Sequence, residues 1–343
     1  MTSTSVAKKK GMDNMSAISY DCSDVELDLL GKPVIVPRSK FGQVTRRLGF
    51  HAANQGQSDL ATPFKQRGLI GLYHTLTLKQ KNLHEKGIKT VVYVDMYSGV
   101  GENVANGQRI YGSPISMLEG IYRAVTSMKG ELIGKRMIIF NDIVKGRASE
   151  MLPNRVLEWQ QLKRLQRNPE LLVLHTKDGY QVDIPIHYRD GSAQTMAEAI
   201  SFIIDGAYKD SHFIIAIDPN GPKDAPWSQV RDLWEKNKRR IDLIFHISAT
   251  TLKRTAKARD AGLNINPNIP NHIQGLLDNF SCSKGWIRSG VGADYWTLML
   301  LTEFPPKYGW GADVPFHLIN SPEGQEVIRS LSLTKKEKAE VAL

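Results

Sequence analysis

Apolar residues recur along this chain in short β-branched runs, separated by stripes at helical spacing. The first run, Val91 to Val94, carries no polar interruption, as expected of a strand buried on both faces of a parallel sheet. Runs at 136–142, 184–188, 212–218 and 241–248 repeat it. Between them the period changes. Phe64, Leu69, Ile70, Leu72, Tyr73, Leu76 and Leu78 form a stripe that runs to a Lys-rich end near Lys86, with Gly87 as a stop. Ser113 and Pro114 predict a cap and first turn for a second helix, with Met117, Leu118, Ile121 and Val125 facing inward. Residues 145–165, 197–208 and 226–240 complete the helical set, the last with Trp227, Val230, Leu233 and Trp234 on its apolar side. Strands alternating with helices specify an α/β fold, a doubly wound, Rossmann-like, mostly parallel sheet.

Other stretches decorate that sheet. Residues 171–188 alternate around Lys177-Asp-Gly, which predicts a hairpin leading into the third sheet strand. A late strand is expected at 295–302 and a solvated helix at the Lys-rich end from 334. Residues 1–30 look like a tail with an acidic patch, 32–38 like a short extended piece, and 56–63 like a loop. The division that follows is an N-terminal extension over 1–60, a sheet domain over 61–302 with an insertion at 261–290, and a C-terminal extension over 303–343.

Composition narrows the class. No apolar run approaches the ~20 residues of a membrane helix. The first ten residues place no apolar segment after their positive charges, unlike a secretory signal, so a cytoplasmic protein is expected. Cys22 and Cys282 lie too far apart in sequence to form a metal knuckle by themselves. A net charge of +10 favours an anionic partner, nucleic acid being the commonest. Basic residues bunch at Arg38, Lys40, Arg46 and Arg47, at Lys236, Lys238, Arg239 and Arg240, and at Lys253, Arg254, Lys257 and Arg259. Singly each bunch suits a solvated face, and together they suit DNA or RNA.

Candidate chemistry sits at the strand ends. Asp95 closes the first strand, and Gly99 and Gly101 follow, so bare backbone is offered where open α/β sheets bind ligands. The dinucleotide fingerprint G-x-G-x-x-G fails at Val104, and an ordinary βα turn is the plainer alternative. Asp142, or Asn141 beside it, ends the second strand and suits ribose hydroxyls, with a helix cap as the equal alternative. Asp190 ends the third, where it suits an adenine amine. Asp218, Pro219, Asn220 and Gly221 end the fourth, and also make a good plain turn. His175, His187, His212 and His246 lie on apolar strands at irregular spacing and are assigned to structure; convergence of Asp95, Asp142 and Asp218 on a cation is a minor alternative.

The motif D-x-x-x-G-x-G at Asp95 to Gly101 resembles the first motif of class I S-adenosylmethionine-dependent methyltransferases. The order Lys65, Tyr73, Asp95-Met-Tyr-Ser-Gly-Val-Gly, Gly112-Ser-Pro, Asp142, Asp190, Asp218-Pro-Asn-Gly and Trp296-Thr-Leu-Met-Leu-Leu-Thr resembles the three-Cys-motif partner proteins over residues 63–330. That resemblance implies a class I methyltransferase fold, in which the late strand belongs to an antiparallel edge. It also implies an S-adenosylmethionine site from Asp95, Tyr97, Ser98, Gly99, Gly101, Asp142 and Asp190, with Asp218 to Gly221 at the reactive centre. Asn220 and Gly221 stand where base-directed amino methyltransferases carry a stacking aromatic, so any stacking falls to Trp227 or Tyr97.

The function expected is methyl transfer to nucleic acid, with an amine acceptor favoured. Asp218 would orient the nucleophile and Asn220 accept its hydrogen. Lys238, Arg239, Arg240, Lys253, Arg254, Lys257 and Arg259 would contact the polyanion. The alternatives are a small-molecule or protein acceptor, and a catalytically silent nucleic-acid-binding partner of a phage or defence system.

Overall fold

The computed structural model describes residues 25–27, 33–35, 57–105, 108–132, 134–219, 225–264, 273–278, 280, 285–288, 296–304 and 316–333. Strands β1 (Val25–Leu27) and β2 (Pro33–Ile35) form an antiparallel pair. The main body begins with helices α1 (Gln57–Leu78) and α2 (Gln80–His84) and strand β3 (Thr90–Asp95). A hairpin follows, β4 (Glu102–Ala105) with β5 (Gln108–Tyr111), then α3 (Ser113–Ser127) and β6 (Lys135–Asp142). A π-helical turn (Arg147–Met151) runs into α4 (Leu152–Leu162). Next come β7 (Leu171–His175), β8 (Gln181–Asp190), α5 (Ala193–Asp205), β9 (Ser211–Ile217), α6 (Trp227–Asn237), β10 (Ile241–Ser248) and α7 (Ala249–Asp260). The chain closes with α8 (Ile273–Asp278), β11 (Gly285–Arg288), β12 (Trp296–Thr302), β13 (Phe316–Leu318) and α9 (Pro322–Ser332).

Nine strands form one sheet in the order β13-β11-β12-β10-β9-β3-β6-β8-β7. From β10 to β8 the pairing is parallel throughout. After β3 the chain moves to β6 and β8, then crosses back to β9 on the other side of β3, which makes the β3/β9 boundary the topological switch point. The doubly wound, Rossmann-like, mostly parallel sheet expected from the sequence is the one observed. The late strand β12 belongs, as expected, to an antiparallel edge of the sheet, where it pairs with β10 on one side and β11 on the other, with β13 outermost. β11 and β13 are only 4 and 3 residues long, too short to show the alternation by which a strand is recognised in sequence.

Each strand feeds two cores. Tyr93, Ile138, Phe140, Ile214 and Ile244 face α1, α3 and α4. Val92, Val94, Phe213, Ile215, Leu243 and Phe245 face α5, α6, α7 and α9. This two-sided burial explains the unbroken apolar runs. Helix α3 approaches α1 closely because Gly120 leaves room: a Cβ there would lie 2.6 Å from the Tyr73 Cβ. Local boundaries shift from the expected ones for identifiable reasons. Gly112 in extended backbone, and not Ser113, is the cap residue of α3, with Pro114 in the first turn as expected. Helix α5 starts four residues early because Ser192 caps it, accepting from Thr195 N at 3.0 Å.

A buried polar network fastens α1 and α2 to the sheet. Lys79 donates to both carboxylate oxygens of Asp242, at 2.9 and 2.7 Å, and to Thr302 Oγ1 at 3.0 Å. His212 Nε2 lies 2.9 Å from Asp242 Oδ2. All three charged or titratable members are at most 3% exposed. Burial pushes the Asp242 carboxyl up, but Lys79 and His212 outweigh it and hold the group well below the usual carboxylate range. Burial pushes His212 down, with Asp242 only partly opposing, so the imidazole is held neutral.

Removing one member leaves the others buried without compensation, which costs about 3–5 kcal/mol. Lys79→Met is therefore expected to lower the urea midpoint at pH 7 by that equivalent, with an unchanged slope. The pH dependence has a definite sign. His212 and Asp242 both have depressed values in the fold, so the unfolded chain binds more protons and stability is lost as the pH is lowered. The loss begins near the ordinary histidine value of ~6.5 and resumes below the ordinary aspartate value of ~3.9. Urea titrations of wild type and His212→Phe between pH 7 and 4 measure the first step, which the variant should lack.

Candidate functional site

In-register pairing brings the acidic strand ends together. Asp142 pairs with Asp190, and Asp95 pairs with Phe140 on one side and Ala216 on the other, two residues before Asp218. The carboxyl ends of β9, β3, β6 and β8 therefore share one rim. Ser98 N donates to Asn141 O at 2.9 Å, and Asn141 Nδ2 donates to Met96 O at 3.2 Å and Gly191 O at 2.8 Å. Asn141 is thus a tie between three strand ends, not a free ligand for ribose.

The glycine loop after β3 is held by the neighbouring strand. Gly99 N donates to Asp142 Oδ2 at 2.9 Å, while Asp142 Oδ1 accepts from Val144 N at 2.8 Å. Arg147 approaches the same oxygen at 3.8 Å. Asp142 therefore fixes the loop and its own turn, and does not cap α4. Asp95 is fully buried and turns the chain by accepting from Tyr97 N at 3.0 Å.

The two glycines differ. Gly99 has φ +59°, and a Cβ built there meets nothing within 4 Å among the described residues. Gly101 has φ +83°, and its Cβ would lie 2.5 Å from Leu152 Cδ1. The bare face of Gly101 is thus covered by α4, and only Gly99 presents open backbone. Ser98, between Asp95 and that backbone, is 4% exposed, and its Oγ is buried with no hydrogen-bond partner among the described residues. A buried hydroxyl without a partner is unusual enough to need a cause.

Asp190 is engaged elsewhere. Its Oδ2 accepts from Gly146 N at 2.9 Å and from Ser149 Oγ at 2.5 Å, and Oδ1 accepts from Ser149 N at 3.3 Å. Partial burial pushes its carboxyl up, but these donors outweigh it and hold it below the usual range. It braces the π-helical turn, a bonding pattern different from the adenine contact expected. On the opposite face of the sheet a cavity of about 780 Å³ is lined by Met137, Ile139, His187, Arg189, Ile203 and Tyr208 among others, and contains none of the rim carboxylates.

Asp218 follows β9 and receives an unexpected partner. His246 Nδ1 lies 2.5 Å from Asp218 Oδ1, both side chains about one-fifth exposed at 19% and 20%. The histidine was assigned to structure from its apolar surroundings; pairing of Phe245 with Ile217 places it beside Asp218. Tyr73 completes this end from α1. It is fully buried, and burial first, then the negative charges of Asp95 and Asp218, push its phenol well above the usual value, so it stays protonated. Pro219 is described beside Asp218, and Asn220 and Gly221 lie outside the described residues.

Arg38, Lys40, Arg46 and Arg47 lie outside the described residues, and the other two basic bunches do not converge on this rim. Lys238, Arg239 and Arg240 precede β10 and stand at the opposite, amino-terminal end of the parallel strands. Arg240 donates to Ile204 O and Tyr208 O, both at 2.5 Å, so its guanidinium closes backbone carbonyls and not phosphate. Lys253, Arg254, Lys257 and Arg259 lie on α7, which packs on the face away from Tyr73, and Lys253 donates to Leu333 O at 2.5 Å. Among the described residues no cluster of three or more His, Cys, Asp or Glu is arranged to hold a metal ion, and no helix is long and apolar enough to cross a membrane.

No protein-family model matches the chain, and no curated protein matches it. Solved structures of similar shape include a conserved hypothetical protein from Streptococcus pyogenes, at 9% identity and TM-score 0.30, covering 65% of this chain and 92% of that one. A DUF574 family protein from Streptomyces avermitilis has 12% identity and TM-score 0.36, with 80% and 94% covered. The small RNA methyltransferase HEN1 has 12% identity and TM-score 0.30, covering 71% of this chain and 27% of its own. At these identities and scores the likenesses assign neither substrate nor activity.

The two glycines should respond differently to substitution. Gly99→Ala meets open space and pays only the left-handed backbone penalty, roughly 1–2 kcal/mol. Gly101→Ala adds overpacking against Leu152, a further ~1–3 kcal/mol. Thermal unfolding of the two variants should therefore show the larger fall for Gly101→Ala; equal falls would contradict the assignment of Gly101 to packing.

Proposed function

We propose that the chain is an S-adenosylmethionine-dependent methyltransferase whose donor lies across the β3/β9 switch point. The observation that carries the proposal is Ser98 with Gly99: a buried hydroxyl lacking a described partner, next to backbone open on the side where a Cβ would stand. The residues present fit the donor. Asp95, Ser98 and Gly99 would hold its amino-acid end, with Tyr97 beside them. The Asp142 side chain supports the loop from below and keeps the Gly99 backbone in place. Sheet type agrees with this reading, since it is the class I methyltransferase type expected from the sequence.

When bound, the donor supplies a methyl group on a cationic sulfonium. The chain's part is alignment and electrostatics. Carboxylates at the ends of β3 and β9 favour a cation at this place, and Tyr73, held neutral, adds a dipole without opposing charge. Gly101 and Asp190, included among the expected donor contacts, are better assigned to packing and to loop bracing. The net charge of +10 makes DNA and RNA the first acceptors to test.

Equilibrium dialysis with labelled S-adenosylmethionine tests the reading directly. Wild type is expected to bind. Ser98→Ala should weaken binding about tenfold, the worth of one hydrogen bond of ~1.4 kcal/mol, while leaving thermal stability equal or higher. Gly99→Val should abolish it. Absence of binding to wild type would sink the proposal. Transfer of tritiated methyl groups to DNA, RNA, nucleotides and protein then identifies the acceptor.

A further inference from the structure

The Asp218–His246 pair was not foreseen from the sequence, and its geometry says more than proximity. A carboxylate only accepts, so His246 Nδ1–H donates to Asp218 at 2.5 Å, and in the neutral form of the ring the basic nitrogen is then Nε2. Nε2 is the far ring atom, directed away from the carboxylate that orients the ring. Alternation along β10 puts His246 on the same face as Asp242 and Ile244, the face that α1 covers. Asp95 lies on that face of β3 beyond Tyr93, and both Asp95 and Asp218 act on Tyr73. The imidazole is thus at the rim and on the side of the glycine loop, and it is partly exposed.

We propose that His246, positioned by Asp218, is the general base for the acceptor in the reaction proposed above, and so a further catalytic residue. This inference rests on that reading. The acceptor is then a group whose attacking atom carries a proton, a hydroxyl as readily as an amine. As the bond from that oxygen or nitrogen to the methyl carbon forms, the carbon–sulfur bond breaks and the sulfur keeps the electron pair as a neutral thioether. The acceptor's proton passes to His246 Nε2, and the imidazolium so formed is stabilised by the Asp218 carboxylate. Charge is conserved: one cation is consumed and one is formed. Asp218 acts through the histidine, as an orienting group, and not directly on the nucleophile as the sequence suggested.

Among the described residues, the charged and titratable groups on the face of His246 are Asp218 from β9, Asp95 from β3, Tyr73 from α1 and Arg288 from β11 toward its own end, and the Asp242, His212 and Lys79 network toward the other end of the strands; its β12 partner Leu298 is apolar. None of these changes when the ligand changes, which makes a comparison of two ligands informative. S-adenosylmethionine and S-adenosylhomocysteine differ by one methyl group and one positive charge. A unit charge at roughly 8 Å in water-like screening moves a histidine by about 0.4 of a pH unit.

Side-chain nitrogen NMR of the full chain, with His246 assigned by its loss in His246→Gln, reads the effect without requiring turnover. The expected result is a His246 pKa about 0.4 unit lower with S-adenosylmethionine than with S-adenosylhomocysteine, and an Nδ1–H tautomer in both. In Asp218→Asn the His246 pKa should fall with either ligand. Identical His246 titrations in the two complexes, or an Nε2–H tautomer, would overturn the inference and leave donor binding standing. If neither ligand binds wild type, the methyltransferase reading fails and this one with it. On the acceptor that takes label, His246→Gln is expected to lower kcat about 10²–10⁴-fold with donor KM unchanged; unchanged kcat would equally overturn it.

Discussion

Parallel pairing in one register is the constraint on which the rest of this molecule depends. A strand buried on both faces tolerates no slip, because a one-residue shift exchanges the side chains of its two cores. Here the shift would exchange Tyr93, packed under α1 and α3, with Val92 and Val94, packed under α5 and α6. Fixing β3 against β6 and β9 fixes where Asp95, Asp142 and Asp218 end. The rim is therefore a consequence of core packing, and no loop has to find it independently.

The carboxylates at that rim do two kinds of work. Asp142 and Asp190 take backbone N–H groups from the loops beside them, Gly99 and Val144 for one, Gly146 and Ser149 for the other. Such bonds are charge-assisted and short, and they make turns rigid. Rigidity is what open backbone needs: Gly99 presents an unblocked face only while its N–H is held by the neighbouring strand. Gly101 serves the same loop from below, where Leu152 closes over it. One glycine gives access and the other gives packing.

Much of this was legible in the sequence because it is carried by local pattern. Five apolar runs became β3, β6, β8, β9 and β10, and the Lys177-Asp-Gly turn became the link between β7 and β8. What was missed depends on partners distant in sequence. His246 stands 28 residues from Asp218, and Lys79 stands 163 from Asp242. On its own strand His246 sits between Phe245 and Ile247 and looks like a core residue; only the β9 register shows what faces it. An unusual polar residue inside an apolar strand was the available signal, and the same signal at Asp242 and His212 marked the buried network instead. Spacing by itself does not separate a structural histidine from one at a site. Nor does bunching in sequence show which surface a basic residue joins: the crossover topology carries Lys238 to Arg240 to the far end of the strands and α7 to the other face.

That distribution of charge limits how any acceptor can approach. Tyr73 remains protonated because burial and two neighbouring carboxylates all oppose its ionisation, so the potential beside Asp95 and Asp218 is set by those acids. A phosphate brought to this place would meet two negative groups at close range, whereas a sulfonium or an uncharged hydroxyl or amine would not. A polyanion that reacts here must then present a base or sugar to the rim and keep its backbone outside, on basic surface that this end of the sheet does not supply from Lys238 to Arg240. The same field makes a base of His246 easier to understand. In the proposed transfer, taking a proton would place a positive charge beside Asp218 as the positive charge on sulfur disappeared, so the number of cations facing the carboxylates would be the same before and after. A site organised in this way needs little rearrangement of charge during the reaction, which is the condition under which fixed dipoles and carboxylates act most effectively.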